Sequence, residues 1–269
     1  MTGVQTCALP IYVYAMGGKP VLAIAILGWP IGKLPPAVAS RVVAGGRKAC
    51  MDAGIPLAGG HSIDSPEPIF GLAVNGLVSI KNLKQNNTAQ EGDLLFLTKK
   101  IGIGVLTTAS KKAILKDEDL QVAIDSMTRL NKIGEVLGSI PGVTSLTDVT
   151  GFGLAGHLIE MAEGSNLSAH IRMDAVPVIN SVPEYIRLGA VPGGTNRNWQ
   201  SYGQKVSEID EQDRLILADP QTSGGLLIAV RPEAVEIVKA ALQEAGIRDV
   251  HTEPIGSMTK KGAFALVVE

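Results

Sequence analysis

The sequence predicts an α+β or mixed α/β fold in two parts, on three observations. Short apolar runs end at Gly or Pro and alternate with stretches of helical spacing, as strands and helices do. They follow one another without a simple βαβ rhythm, which argues against a purely parallel sheet. A polar segment without apolar period, residues 81–92, divides a chain of 269 residues, enough for one large domain or two of ordinary size.

The elements follow in order. Residues 21–27 form an apolar run between Gly17-Gly18-Lys19-Pro20 and Gly28-Trp29-Pro30, predicted to be a buried strand and too short to span a bilayer. Residues 36–53 have helical spacing, with Val38, Val42, Val43 and Cys50 at apolar positions and Gly54 where a helix stop is expected. Residues 55–58 are a short apolar run that ends in Gly59-Gly60-His61-Ser62-Ile63-Asp64, and 70–79 are a further strand. Beyond the boundary, 93–98 read as a strand and 102–113 and 119–137 as helices. A glycine-rich turn at 147–153 leads into a helix through His157 that closes at Gly164. Residues 169–173 alternate as a strand, and 191–200 read as a loop rich in Gly and Asn. A strand at 225–230, a helix at 232–245 stopped by Gly246, and a strand at 263–268 complete the chain. The domains are therefore expected at 12–90 and 91–269.

Composition narrows the function classes. Hydrophobic residues make up 45% and charged residues 19%, so a packed core is available and disorder is not expected. The net charge is −2 and no basic stripe occurs, which argues against nucleic acid or an anionic membrane as a partner. Cys7 and Cys50 form no CxxC or Cys/His cluster, so neither a disulfide framework nor a structural zinc site is expected. Cys50, on the predicted helix, reads as a core residue. With no signal peptide pattern, the cytoplasm is the expected compartment.

Three segments gather Gly, Ser/Thr and Asp beside the apolar runs. In residues 59–64, glycines let backbone N–H groups approach phosphate oxygens, and a hydroxyl and an imidazole add donors. The structural alternative is a tight strand-exit turn capped by Ser62 and Asp64. In residues 147–153, Asp148 suits Mg²⁺, which prefers carboxylate and phosphate oxygens, and the helix start behind it favours anions. The alternative is that Asp148 and Thr150 only cap that helix. In Asp219-Pro220-Gln221-Thr222-Ser223-Gly224-Gly225 a type I turn with Pro at its second position is the simpler reading. His157, inside a helix with apolar neighbours, reads as a core or groove histidine. No Walker P-loop and no GxSxG elbow is present.

These segments carry a family resemblance. Ala15-Met16-Gly17-Gly18-Lys19-Pro20, AIAILGWP from Ala23, AGGHSIDSPEPIFGLAVNG from Ala58, TDVTGFGLAGHL from Thr147, LGAVPGGTNRN from Leu188 and DPQTSGGLL from Asp219 are long, ordered and collinear. They resemble the selenophosphate synthetases (selenide, water dikinases), and the resemblance runs from Tyr12 to Glu269. Relatives in fold, such as aminoimidazole ribonucleotide synthetase, share looser versions of the GGH and DxTG patterns but not GWP or the whole GGHSIDSPEP run. The resemblance implies a two-domain α+β fold like that synthetase, with the N-terminal domain incomplete here. It implies ATP-dependent synthesis of selenophosphate from selenide and water, releasing AMP and phosphate. It further implies Mg²⁺, a monovalent cation such as K⁺, and a homodimer in which the partner protomer contributes to the ATP site. Carried over by motif, Gly60, His61 and Ser62 would contact the nucleotide and Asp148 would ligate Mg²⁺. The rival readings are a related ATP-dependent synthetase of the same fold and a non-catalytic nucleotide-binding or scaffold protein.

The N-terminus departs from that pattern. Met1–Ile11, MTGVQTCALPI, resembles the conceptual translation of a sequencing-adapter oligonucleotide read from a GTG start, so an assembly artefact is expected rather than an ordinary N-terminal tail. The family's catalytic Cys or selenocysteine, the Lys near it and further Mg²⁺ carboxylates belong upstream of the matching region and are not present. No catalytic residue is therefore assigned, and the chain as written is expected to be inactive. Tyr12 stands where the family has an Asp, as a junction that overwrote the first base of an Asp codon would produce.

Overall fold

The computed structural model describes residues 11–247 and 253–269; the Met1–Ile11 expectation lies outside the described residues except for the backbone of Ile11. A short helix, α1 (Ile11–Ala15), precedes β1 (Lys19–Trp29), α2 (Pro36–Ala53), β2 (Leu57–Asp64) and β3 (Ile69–Leu77). These strands form a sheet of order β2-β1-β3, with β2 parallel and β3 antiparallel to β1. Helix α2 ends where the sequence predicts, at Gly54, whose φ of 77° is the left-handed cap that glycine adopts without penalty. Strand alternation aims Ala23 and Leu72 at α2, where Cys50 and Ile55 complete a small core. The opposite face carries Ile24, Ile26, Ile63 and Ile69, which remain 42–58% exposed.

The second part contains β4 (Leu94–Leu97), α3 (Ile103–Lys111), α4 (Asp117–Thr128), α5 (Ile133–Gly138), β5 (Val143–Asp148), α6 (Gly153–Gly164) and β6 (Leu167–Ile171). It continues through α7 (Val182–Arg187), α8 (Gly193–Tyr202), α9 (Glu211–Leu217), β7 (Leu226–Val230), α10 (Val235–Glu244), β8 (Gly256–Lys260) and β9 (Leu266–Val268). Six strands form one sheet of order β5-β7-β4-β8-β6-β9. Leu95 and Leu97 of β4 pack into one core with α3, α4 and α6, while Phe96 packs into the other with α5 and α10. The central strands β4 and β7 are thus buried on both faces, which explains their unbroken apolar runs LLFL and LLIAV; each fully buried Leu is worth about 1.5–3 kcal/mol.

The two parts meet through α1. Tyr14 is 2% exposed and Ala15 joins the core beneath α5. Gly17, at φ 73°, lies so close to Gly138 that a Cβ on either would meet the other's backbone at 2.7–2.8 Å. The buried Lys84 ammonium donates to the carbonyls of Ile140 (3.2 Å) and Val143 (2.8 Å), and burial pushes its pKa down. Among the described residues no helix is long and apolar enough to cross a membrane.

Three sequence expectations need correction. Residues 119–137 are not one helix: α4 and α5 are separate because the carbonyls of Ser126 and Arg129 accept from Lys99 Nζ (3.0 and 2.7 Å) and Asn131 donates to the Gly224 carbonyl at 2.9 Å. Residues 191–200 are not a loop, since 193–200 belong to α8. Residues 59–64 are strand, the last six residues of β2, rather than a turn.

Candidate active site

Asp148 is the last residue of β5, an edge strand, and the chain turns through Val149–Phe152 into α6. Gly153 opens that helix at φ 73°, and a Cβ there would lie 2.7 Å from the Leu217 carbonyl, so glycine is required both by conformation and by space. The Thr150 amide donates to His157 Nε2 at 3.0 Å. That nitrogen must carry the lone pair, which leaves the proton on Nδ1, 3.5 Å from Glu160 Oε2. Burial pushes the His157 pKa down, against the nearby carboxylates of Asp148 and Glu160. His157 is therefore the buried histidine that the sequence suggests, and its work is to hold the turn.

Asp148 is only 8% exposed, and among the described residues its Oδ2 has no hydrogen-bond partner. Burial raises its pKa, opposed by its own backbone hydrogen bond and by His157. A carboxylate oxygen held dry and unpaired is costly unless a cation or donor meets it. A divalent cation fits this oxygen as one ligand of an oxygen shell. No group of three or more His, Cys, Asp or Glu side chains is placed to hold a metal among the described residues, so Asp148 would share the cation with oxygen ligands from outside this turn.

Two other segments close around this turn. Val149 N donates to the Gly225 carbonyl (2.9 Å) and Gln221 N to the Thr150 carbonyl (3.0 Å). Asn198 Nδ2, from α8, donates to the carbonyls of Gly151 (2.8 Å) and Ala218 (3.0 Å), and the Tyr202 hydroxyl donates to the Phe152 carbonyl at 2.6 Å. The segment 219–225 is structural, as the simpler sequence reading has it, but as a helix cap rather than a turn set by Pro220. Gln221 Oε1 accepts from the amides of Gly102 (3.0 Å) and Ile103 (3.2 Å), and Asp219 Oδ2 accepts from Gly104 N at 3.0 Å. Three of the four free amides at the start of α3 are thereby satisfied. Asp219 is fully buried, which pushes its pKa up to about 7 against the hydrogen bonds from Gln221 and Gly104.

Gly60, His61 and Ser62 lie elsewhere, on the exposed strand β2. Their register is Gly60 with Ala25, His61 with Ile26 and Ser62 with Leu27. His61 therefore shares the apolar face of Ile26, while Gly60 and Ser62 point to the other face. As β2 is an edge, one row of its backbone groups has no strand partner among the described residues. No hydrogen bond or ion pair among those described joins Gly60–Ser62 to the Asp148 turn within the chain. Tyr202 and Lys99 carry no motif signal of their own, and Asn198, which ends the LGAVPGGTNRN run, gives no local sign of its partners; their work depends on contacts across 20 to 124 positions.

Residues 13–78 match the AIR synthase related protein N-terminal domain, and residues 90–269 match the C-terminal domain of the same family. The chain is 58% identical over 258 residues to selenide, water dikinase of Shewanella sp. (strain W3-18-1), covering 95% of this chain and 72% of that protein. It is 61% identical over 222 residues to the protein of that name from Shewanella baltica (strain OS155), covering 82% of this chain and 63% of that one. Among solved structures, hydrogenase maturation protein HypE in complex with ATP aligns at a TM-score of 0.70 and 24% identity, over 98% of this chain and 75% of that chain. Thiamine-monophosphate kinase from Stenotrophomonas maltophilia K279a aligns at 0.72 and 16%, over 96% and 74%. These two likenesses establish a shared fold.

Proposed function

Because the chain belongs to the selenide, water dikinase family, within the AIR synthase related proteins, we propose that its Asp148 turn and its Gly60–Ser62 strand serve ATP-dependent synthesis of selenophosphate from selenide and water. In that reaction ATP gives up two phosphoryl groups, one to selenide and one to water, leaving AMP, selenophosphate and phosphate. The identity to named dikinases supports the reaction, and the buried, unpartnered Asp148 Oδ2 carries the assignment of the site. When bound, Mg²⁺ would neutralise phosphate charge and polarise the transferred group. Asp148 would supply one oxygen to it, with His157 and Asn198 holding the turn in place. Gly60, His61 and Ser62 would offer backbone amides, an imidazole and a hydroxyl to the nucleotide.

These two sets lie on different sheets without a direct bond, and a homodimer reconciles them. Pairing two copies through the face of Ile24, Ile26, Ile63 and Ile69 would cover exposed apolar side chains and let one protomer's β2 approach its partner's Asp148. ATP and selenide are the small-molecule partners; a monovalent cation such as K⁺ is carried by the family resemblance alone, and a cytoplasmic location rests on the sequence pattern of the N-terminal region.

Calorimetric titration of the chain with ATP, with and without Mg²⁺, tests this reading. Asp148→Asn should weaken the Mg²⁺-dependent part of binding by at least about tenfold, as loss of a metal-supporting group does. His61→Ala should weaken ATP binding too, and mixing the two variants should restore part of it, since one site in each mixed dimer keeps both groups. Equal Mg²⁺ dependence with and without the Asp148 carboxylate would overturn the metal role. Absence of recovery on mixing would overturn the shared site.

A further inference from the structure

Beside the 219–225 segment, which contributes Thr222 to its wall, α2 and the start of β3 face α3 and α4 across a cavity of about 320 Å³. Its walls are mainly apolar, with Trp29 and Phe70 on one side and Leu106 and Met127 on the other. Among the described residues Lys111 is the one charged side chain that lines it, and no carboxylate does. Among the described residues Lys111 forms no ion pair. Thr107 and Ser110, on the same helix as Lys111, gather the polar groups at one end. The size and the mix of apolar walls with a few convergent polar groups are those of a small-molecule site.

We propose that this cavity binds a small amphipathic monoanion, its ring-bearing apolar body between Trp29, Phe70 and Met127 and its carboxylate or sulfonate at Lys111. The charge count selects the class. A triphosphate would bring several negative charges to one cation and apolar walls, leaving most of them desolvated and unpaired. A neutral apolar molecule would leave the exposed Lys111 ammonium to water and gain nothing from it. The single unmatched cation beside two aromatic rings is complementary to one anionic group on an aromatic or aliphatic body. The cavity lies between the three-stranded part and helices α3 and α4 of the second part, so an occupant would touch both parts.

The probe pair is 1-naphthoate and its neutral counterpart 1-naphthylmethanol, titrated into the full chain by calorimetry and by quenching of tryptophan emission, to which Trp29 contributes from inside the cavity. Naphthoate should bind saturably with one site per chain and quench that emission. Lys111→Ala should weaken naphthoate about threefold to fivefold, the range of a partly exposed ion pair, and leave naphthylmethanol unchanged. Ala123→Phe should fill the cavity and abolish binding of both. Because Ala123 is buried, Val38→Phe on the half-exposed wall is the second filling variant, with the same expected loss. Absence of saturable binding, as would result if the two walls simply close on each other, would overturn the proposal. So would binding that neither filling variant weakens, or a Lys111→Ala effect equal for the anion and the alcohol.

Discussion

Strand β4 of the six-stranded sheet buries every side chain from Leu95 to Leu97, whereas β2 of the three-stranded sheet leaves every residue from Ala58 to Asp64 exposed. The first sheet has helices on both faces and two cores. The second has one helix, α2, over one face, and its core is Ala23, Cys50, Ile55 and Leu72 with a few partly buried neighbours. The first therefore carries its own stability. The second has an apolar face and an open edge that something else must cover, and it holds the Gly60–Ser62 strand at that edge. The difference teaches where to look for a partner: the unfinished burial and the Gly60–Ser62 segment lie on the same strand.

The comparison can be broken by deleting core volume in each part. Leu97→Ala should cost about 3–5 kcal/mol, because its surroundings are packed on all sides and cannot collapse, while Leu72→Ala should fall near 2 kcal/mol in its smaller core. Urea unfolding of both variants, followed by far-UV circular dichroism, measures the difference; equal costs would mean that the three-stranded sheet is as well packed as the six-stranded one.

A second effect, on the order of 4 kcal/mol, belongs to the six-stranded part alone. Asp219 has its folded-state pKa raised from 3.8 to about 7 by burial. The folded protein thus holds this proton more tightly than the unfolded chain does. The sign follows: stability is full below about pH 4, falls as pH rises from 4 to 7, and is flat above. Asp219→Asn keeps an acceptor for Gly104 N but cannot ionise, so its stability should lack that decline and exceed the parent's at pH 8. Melting curves at pH 4, 6 and 8 check this; parallel pH dependence of parent and variant would show that Asp219 is ionised without penalty.

A third prediction concerns the uncovered face. Ile26→Lys should weaken self-association at least about tenfold, about 1.4 kcal/mol, with little effect on the folding of one chain. Sedimentation equilibrium of the parent and variant reads it directly, and unchanged association would place the partner surface elsewhere.

How much of this was legible in the sequence depends on how far a residue's partners lie along the chain. The helix at 36–53 and its stop at Gly54 were legible because spacing and cap are local. Asp148 and Gly60–Ser62 were legible as motifs, yet their separation onto two sheets was not, since no local signal says which strand is an edge. The 59–64 segment reads as a turn by its glycines, but its pairing with β1 makes it strand. The helix α8 was hidden by its Gly and Asn content; Asn198 turns out to be a buried clamp, and the carbonyls it holds belong to Gly151 and Ala218. Asp219 caps a helix 115 positions away, which neither spacing nor propensity can reveal.

The smallest effect sharpens the comparison from the other side. Lys48 and Asp52 form an i,i+4 pair on α2 at 2.5 Å, with both side chains well exposed. Such a pair contributes about 0.3–0.5 kcal/mol, and here the cation precedes the anion, the less favourable order against the helix dipole. Alanine at position 48 also has the better helix propensity, which offsets part of the loss. Lys48→Ala should therefore move the unfolding midpoint by no more than the equivalent of about 0.3 kcal/mol, and 0.5 M salt should erase the difference. A loss several times larger would mean that the three-stranded part leans on its surface charges, and that its bare apolar face is a lesser deficit than the exposed strands suggest.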